Sequence, residues 1–205
     1  WIKINGMNID YPVLQSSDNS YYLKHDFNKQ YSNYGSIFMS FENNSKDLDQ
    51  NTVIFGHSMR RDTQMFTPLH AYKDVSGFKA SPVITFSTLY KTYKFKVFAV
   101  YITNGSSSGD NGYVFDYTFT NLSTEQNFGE YINEVKQRQL YDTGVDILPT
   151  DKIITLSTCT YEFDDARLVV IGRMVRDGES SSVDTSKVKI NSNPRYPQAW
   201  YDKNN

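Results

Sequence analysis

The chain has 205 residues, with 21 Lys and Arg against 23 Asp and Glu and a formal net charge of −2, so it lacks the clustered basic excess that nucleic acid or an anionic membrane surface attracts. A single cysteine excludes a disulfide framework, and no apolar run approaches the length of a membrane span. Sixteen tyrosines and thirteen phenylalanines within a 39% hydrophobic total favour strands and aromatic-lined grooves over a helical bundle, in a chain long enough for one well-cored domain.

In chain order, the opening stretch is polar and aromatic, and residues 18–27 suit a short helix capped by Ser17 or Asp18. Strands are predicted at 36–40, 52–55, 83–87, 93–103 and 112–119, with a short helix over TPLHAY between the second and third. The fourth strand places Phe95, Val97, Ala99 and Tyr101 opposite Lys94, Lys96, Phe98 and Val100, half-exposed first and buried later. Residues 104–112, NGSSSGDNG, form a turn-rich loop. Ser123, Thr124, Glu125 and Gln126 read as a capping-box start, and Phe128, Tyr131, Ile132, Val135 and Leu140 keep helical spacing to about Tyr141. Beyond Val175, residues 177–186 are low in apolar content and expected to be mobile, whereas 193–201 regain aromatics and prolines suited to docking back.

The chemistry concentrates near Cys159. It ends the strand-like run IITLSTC at 153–159, where Thr155, Ser157 and Cys159 share one face and Ile154, Leu156 and Thr158 the other. The polar bridge 160–166 has hairpin length, so antiparallel pairing sets Arg167 beside Cys159. A nucleophilic cysteine also needs an acid/base partner and an oxyanion donor. His57 closes TVIFGH beside a glycine, where a strand gives way to a loop; His25 lies in a polar stretch and His70 in the short helix. On these residues alone, Cys159 can also be a buried structural cysteine, His57 a strand-end histidine satisfied by backbone, and Arg167 an exposed partner of Glu162, Asp164 or Asp165. No metal site is expected: three histidines and one cysteine lack zinc-ligand spacing, and Glu42, Asp47 and Asp49 lack the rhythm of a calcium loop. The histidine-before-cysteine order does not fit papain-like enzymes.

TLSTC followed by Arg167, with Gly56-His57 far upstream, resembles the catalytic signature of sortases, the cysteine transpeptidases of Gram-positive cell surfaces. WIKINGMNIDYPVLQSSDNSYYL, YGSIFMSF and GHSMRRDTQMFTPLHAYKD, in that order, are similar to class B over residues 1–176. The resemblance implies a mostly β fold: a closed eight-stranded barrel, an N-terminal helical or extended segment over 1–35 packed on it, one helix inserted before the cysteine strand, and a tail over 177–205. It implies catalysis by His57, Cys159 and Arg167 and peptide binding by Asn19, Leu23, Phe55, Ser157 and Thr158, without metal or cofactor. Phe55 stands where some members have tyrosine, and Thr160 where some have an acid. The implied partners are the sorting-signal peptide of secreted proteins, cleaved after a threonine, and a peptidoglycan-precursor amine as acceptor. Nucleic acid is not expected. The implied location is the outer face of the plasma membrane, through an N-terminal anchor outside this chain. A cysteine hydrolase discharging to water and a non-enzymatic adhesin are the rival readings.

Overall fold

Short β-branched and aromatic runs fold as the strands β1 (Ile2–Ile4), β2 (Ile9–Tyr11), β3 (Phe38–Met39), β4 (Asn51–Phe55), β5 (Val83–Ser87) and β6 (Thr92–Asn104). They continue as β7 (Tyr141–Asp142), β8 (Ile153–Cys159), β9 (Ala166–Met174) and β10 (Lys189–Ile190). The structure is a computed structural model and describes residues 1–204. Eight strands make one sheet in the order β2-β1-β5-β6-β9-β8-β4-β3, and β7 pairs separately with β10.

The centre of the sheet is buried on both faces. Ile154 and Leu156 of β8 and Leu168 and Val170 of β9 join Ile54, Ile84 and Phe95 in the core enclosed by the curled sheet. Ile153, Val169 and Ile171 face the opposite way, under the helix α2 (Glu125–Arg138), whose Phe128, Tyr131, Ile132 and Val135 cover them. Thr124 caps α2 by accepting the Asn127 N–H at 3.1 Å. On β6 a register shift between Val97 and Ala99 breaks simple alternation. Phe95, Val97, Val100 and Ile102 consequently face the enclosed core, while Phe98, Ala99 and Tyr101 face α2. A bulge adds one residue to one strand and so reverses which parity points inward. This corrects the single-parity pattern predicted for the strand.

Three further expectations are corrected. The sheet is open and curled rather than a closed barrel. Its end strands β2 and β3 have three and two residues, and the ends are linked by an isolated bridge, Leu14 to Phe38. Pro12, between β2 and that bridge, has no N–H with which to continue a ladder. The N-terminal segment takes the extended alternative, a β1–β2 hairpin, and the helix expected over 18–27 is reduced to one 3₁₀ turn, Tyr21–Leu23. There Asp18 accepts the N–H groups of Ser20 and Tyr21, each at 2.7 Å, which closes a local turn in place of a longer helix. Residues 112–119 form no strand. Their carbonyls at Tyr117 and Phe119 are instead taken by the buried Asn51 side chain, at 3.0 and 2.8 Å. Two short helices that were not predicted, α1 (Val75–Ala80) and α3 (Gln198–Asn204), join α2, and the helix expected over TPLHAY is the 3₁₀ helix Thr67–Lys73.

The loop after β9 is fastened by charge. Glu179 pairs with Arg173, whose side chain is 1% exposed, and with Lys96 at 2.5 Å, and it accepts the Arg176 N–H at 3.0 Å. The Arg173 guanidinium, with help from Lys96 and Arg176, holds the Glu179 carboxyl well below the usual carboxylate range despite its burial. A depressed carboxylate stabilises the fold above its unfolded value, near 4.5, and that stabilisation drains away as pH falls below it. Glu179→Gln should therefore lose about 3 kcal/mol at neutral pH, the low end for removing one partner of a buried pair because Asp146 still meets Arg173. Its stability should also depend less on pH below about 4 than that of wild type. Denaturant titrations of both proteins across pH 3–7 check this, and identical pH dependence would show that the pair has no such role.

Candidate active site

The end of β8 has different neighbours on its two sides. β4 pairs with it in parallel, with Phe55 opposite Ser157, and the Gly56 N–H continues to the Ser157 carbonyl at 3.2 Å. Thr158 Oγ1 donates to the Gly56 carbonyl at 2.7 Å. On the other side β9 runs antiparallel, with Cys159 opposite Arg167. Strand register alone thus delivers His57, two residues past Phe55, and Arg167 to the place where the half-buried Cys159 ends β8. Gly56 is required by space, since a Cβ there would lie 2.4 Å from Ile37 Cδ1 and 2.8 Å from Phe66.

These three residues line a cleft of about 280 Å³ together with Asn19, Leu23, Phe55, Ser157 and Thr158, and with Phe38 and Gly56. Every site residue proposed from sequence therefore meets in one cavity. Its wall is more apolar than polar, with Phe38 and Phe55 packed at 5.4 Å between ring centroids. Asn19 is tied into the wall: its side-chain NH₂ donates to Ser40 Oγ at 3.2 Å and its carbonyl oxygen accepts the Phe41 N–H at 3.0 Å. Ser157 Oγ is held by the buried Tyr117 hydroxyl at 3.0 Å.

His57 is oriented from a distance in sequence. Its Nε2 lies 2.7 Å from the Leu23 carbonyl oxygen. A carbonyl can only accept, so Nε2 carries a hydrogen, and in the neutral ring the lone pair is left on Nδ1. The 3₁₀ turn at Tyr21–Leu23 thus fixes the orientation of the ring.

The other histidines have different surroundings. His25 stacks on Tyr21 at 4.1 Å and donates from Nδ1 to the Tyr21 carbonyl at 2.8 Å. His70, on the 3₁₀ helix Thr67–Lys73, lies behind the cleft, with Nε2 3.2 Å from the Cys159 carbonyl and 3.0 Å from Ser58 Oγ. Burial first, and Lys73 second, lower its pKa, so the ring is neutral at pH 7 and braces the Cys159 backbone as a donor. Lys73 on the same helix donates to Thr160 Oγ1 at 2.6 Å and pairs with Glu162.

Sequence reasoning missed three contributors. Phe38 lay inside a predicted strand and carried no functional signal of its own. Tyr117 was read as part of a strand, and its reach to Ser157 comes from an irregular segment that no periodicity marks. The bracing role of His70 was invisible because its partners are a backbone carbonyl and a serine distant in sequence. Among the described residues no group of three or more His, Cys, Asp or Glu could hold a metal ion. A half-buried thiol, an imidazole with one free nitrogen and a guanidinium around an apolar cleft suit nucleophilic acyl transfer.

Comparison with known proteins agrees with this chemistry. A family model described as a Sortase domain matches residues 2–175. Sortase B of Listeria monocytogenes is 37% identical over 177 residues, 85% of this chain and 68% of the relative. Sortase B of Staphylococcus aureus is 34% identical over 178 residues, 86% and 69%. The X-ray structure of Clostridium perfringens sortase B superposes with a TM-score of 0.76 at 37% identity, covering 86% of this chain and 92% of that one. A Staphylococcus aureus sortase B–substrate complex gives 0.76 at 34% identity, covering 86% and 78%. With a family model spanning nearly the whole β-sheet and class B relatives alike in sequence and in structure, the chain belongs to the sortase family, within class B, and is a cysteine transpeptidase.

Proposed function

We propose that this transpeptidase cleaves the sorting signal of secreted proteins after a threonine and transfers the acyl group to a cell-wall peptide amine, with Cys159 as nucleophile, His57 as acid and base, and Arg167 as oxyanion donor. The observation that carries the reading is the double register of β8, which has His57 beyond its parallel neighbour and Arg167 on its antiparallel one. The Cys159 thiolate attacks the threonine carbonyl carbon, a C–S bond forms, and the guanidinium receives the charge that develops on oxygen. Collapse breaks the C–N bond, and protonated His57 gives its proton to the departing amine. The incoming amine loses its proton to His57 as it attacks the thioester, and the thiolate leaves. Leu23 and Phe55, with Phe38, form the apolar wall for the signal peptide. Asn19, Ser157 and Thr158, whose side chains are engaged within the protein, contribute shape and main-chain edges.

The remaining parts of the reading concern placement. Residues 1–176 act as the catalytic unit and 177–205 as its C-terminal tail. The family points to the cell surface. No helix among the described residues is long and apolar enough to cross a membrane.

Four experiments test this reading. Cys159→Ala should abolish cleavage of a threonine-containing signal peptide while melting close to wild type, since a half-exposed thiol leaves little cavity; retained cleavage would remove the nucleophile. His57→Ala should lose activity at a folded concentration where His25→Ala keeps it, and the reverse result would move the acid/base role elsewhere. Arg167→Lys retains charge but loses the planar fork, so single-turnover acylation should slow by about 100-fold or more with peptide affinity nearly unchanged. Near-normal acylation by the lysine variant would defeat the oxyanion role. Running wild type with and without an amine acceptor separates transfer from hydrolysis by the product formed.

A further inference from the structure

The Arg167 guanidinium sits in a built seat. Its Nη2 meets Asp165 Oδ1 at 2.5 Å, and its Nη1 donates to the Ala166 carbonyl at 3.1 Å. The floor is Gly105, at the turn that follows β6: a Cβ there would lie 2.7 Å from both Cζ and Nη2 of Arg167 and 2.9 Å from Asp165 Oδ1. Only a residue without a side chain leaves room for the guanidinium in that position. Asp165 is itself held, because its carbonyl accepts the Gly105 N–H at 2.8 Å. Its φ of +60° belongs to the left-handed region, which aspartate and asparagine tolerate better than most residues. The backbone of the β8–β9 loop and the end of β6 thus lock together, and the carboxylate projects from that lock onto the arginine.

An ion pair whose side chains are 27% and 39% exposed contributes little to stability. Its value is geometric. A guanidinium has five N–H donors in one rigid plane. Fixing one edge of that plane with a carboxylate and a carbonyl determines where the remaining donors point, and Arg167 also lines the cleft beside Cys159. The geometry points to Asp165 and Gly105 as positioning residues for this reaction: together they aim Arg167 at the oxyanion before substrate arrives. Neither touches the reacting atoms. The inference rests on the oxyanion role proposed above for Arg167. It adds that the donor is held ready by Asp165 in the β8–β9 loop and by the glycine at the turn after β6, rather than recruited by substrate.

The test compares Asp165→Ala, Asp165→Asn, Gly105→Ala and Arg167→Ala with wild type. The probe is the most reactive member of a quenched fluorogenic pentapeptide library with threonine fixed on the acyl side, selected with the wild-type protein. Asp165→Ala and Gly105→Ala should each lower single-turnover acylation by about 10-fold, below the ~10²-fold that an ångström of misplacement can cost. KM should stay within about twofold, since aiming acts on the transition state. The rate at which iodoacetamide alkylates Cys159 should not change, because that reaction needs no oxyanion donor, whereas a collapsed site would change it. Asp165→Asn keeps an accepting oxygen and the left-handed preference, so it should recover most of the lost rate. Acylation within twofold of wild type in both Asp165→Ala and Gly105→Ala, with Arg167→Ala inactive, would overturn the seat and leave the oxyanion role standing. Faster acylation in Asp165→Ala would likewise overturn it, by making the carboxylate a restraint on Arg167. Full activity in Arg167→Ala would remove the oxyanion role and the seat together.

Discussion

The site depends on one strand having two kinds of neighbour. β8 pairs in parallel with β4 and antiparallel with β9, so its C-terminal end is also the C-terminal end of β4 and the start of β9. A one-residue slip on either side would turn every side chain of the slipped strand to the opposite face. Burial on both faces of β8 and β9 makes such a slip costly, since Ile154 and Leu156 belong to one core and Ile153 to the other. The two hydrophobic layers therefore set the relative positions of His57, Cys159 and Arg167, although none of the three belongs to either core.

Around that frame, each of the three residues has a contact from a segment distant in sequence. The Leu23 carbonyl orients His57 across 34 positions, and His70 meets the Cys159 carbonyl across 89. Gly105 and Asp165 enclose Arg167. Backbone groups and a missing Cβ supply much of this support. Such groups hold their geometry without side-chain entropy to lose, which suits a site where donors must be aimed before charge develops.

The sequence was most informative where a pattern is local. β5 spans Val83–Ser87, as alternation and flanking turn residues predicted, and the capping residues before α2 located its start to within a residue or two. It was misleading where a competing side-chain hydrogen bond overrides the pattern. Residues 112–119 alternate like a strand, yet their carbonyls are claimed by the Asn51 side chain. Residues 18–27 look helical, yet Asp18 closes a tight turn. The bulge in β6 leaves no mark in composition and inverts the facing of half the strand.

The candidate trio was legible from residue types in order: a lone cysteine at the polar end of a β-run, an arginine after a hairpin-length loop, and a histidine closing an earlier strand beside a glycine; those residues alone left structural readings open, and the resemblance to class B sortases selected the catalytic one. Alternation along a strand specifies which side chains share a face, and hairpin length specifies an antiparallel neighbour, because both follow from backbone geometry over a few residues. Only the tertiary structure decided that β4 lies parallel to β8, that the sheet stays open with Pro12 between its ends, and that Tyr117, His70 and Gly105 reach the site. A parallel pairing joins segments separated by a long crossover, and its register is chosen by how both buried faces pack. That is a property of the whole core and of no single stretch of chain.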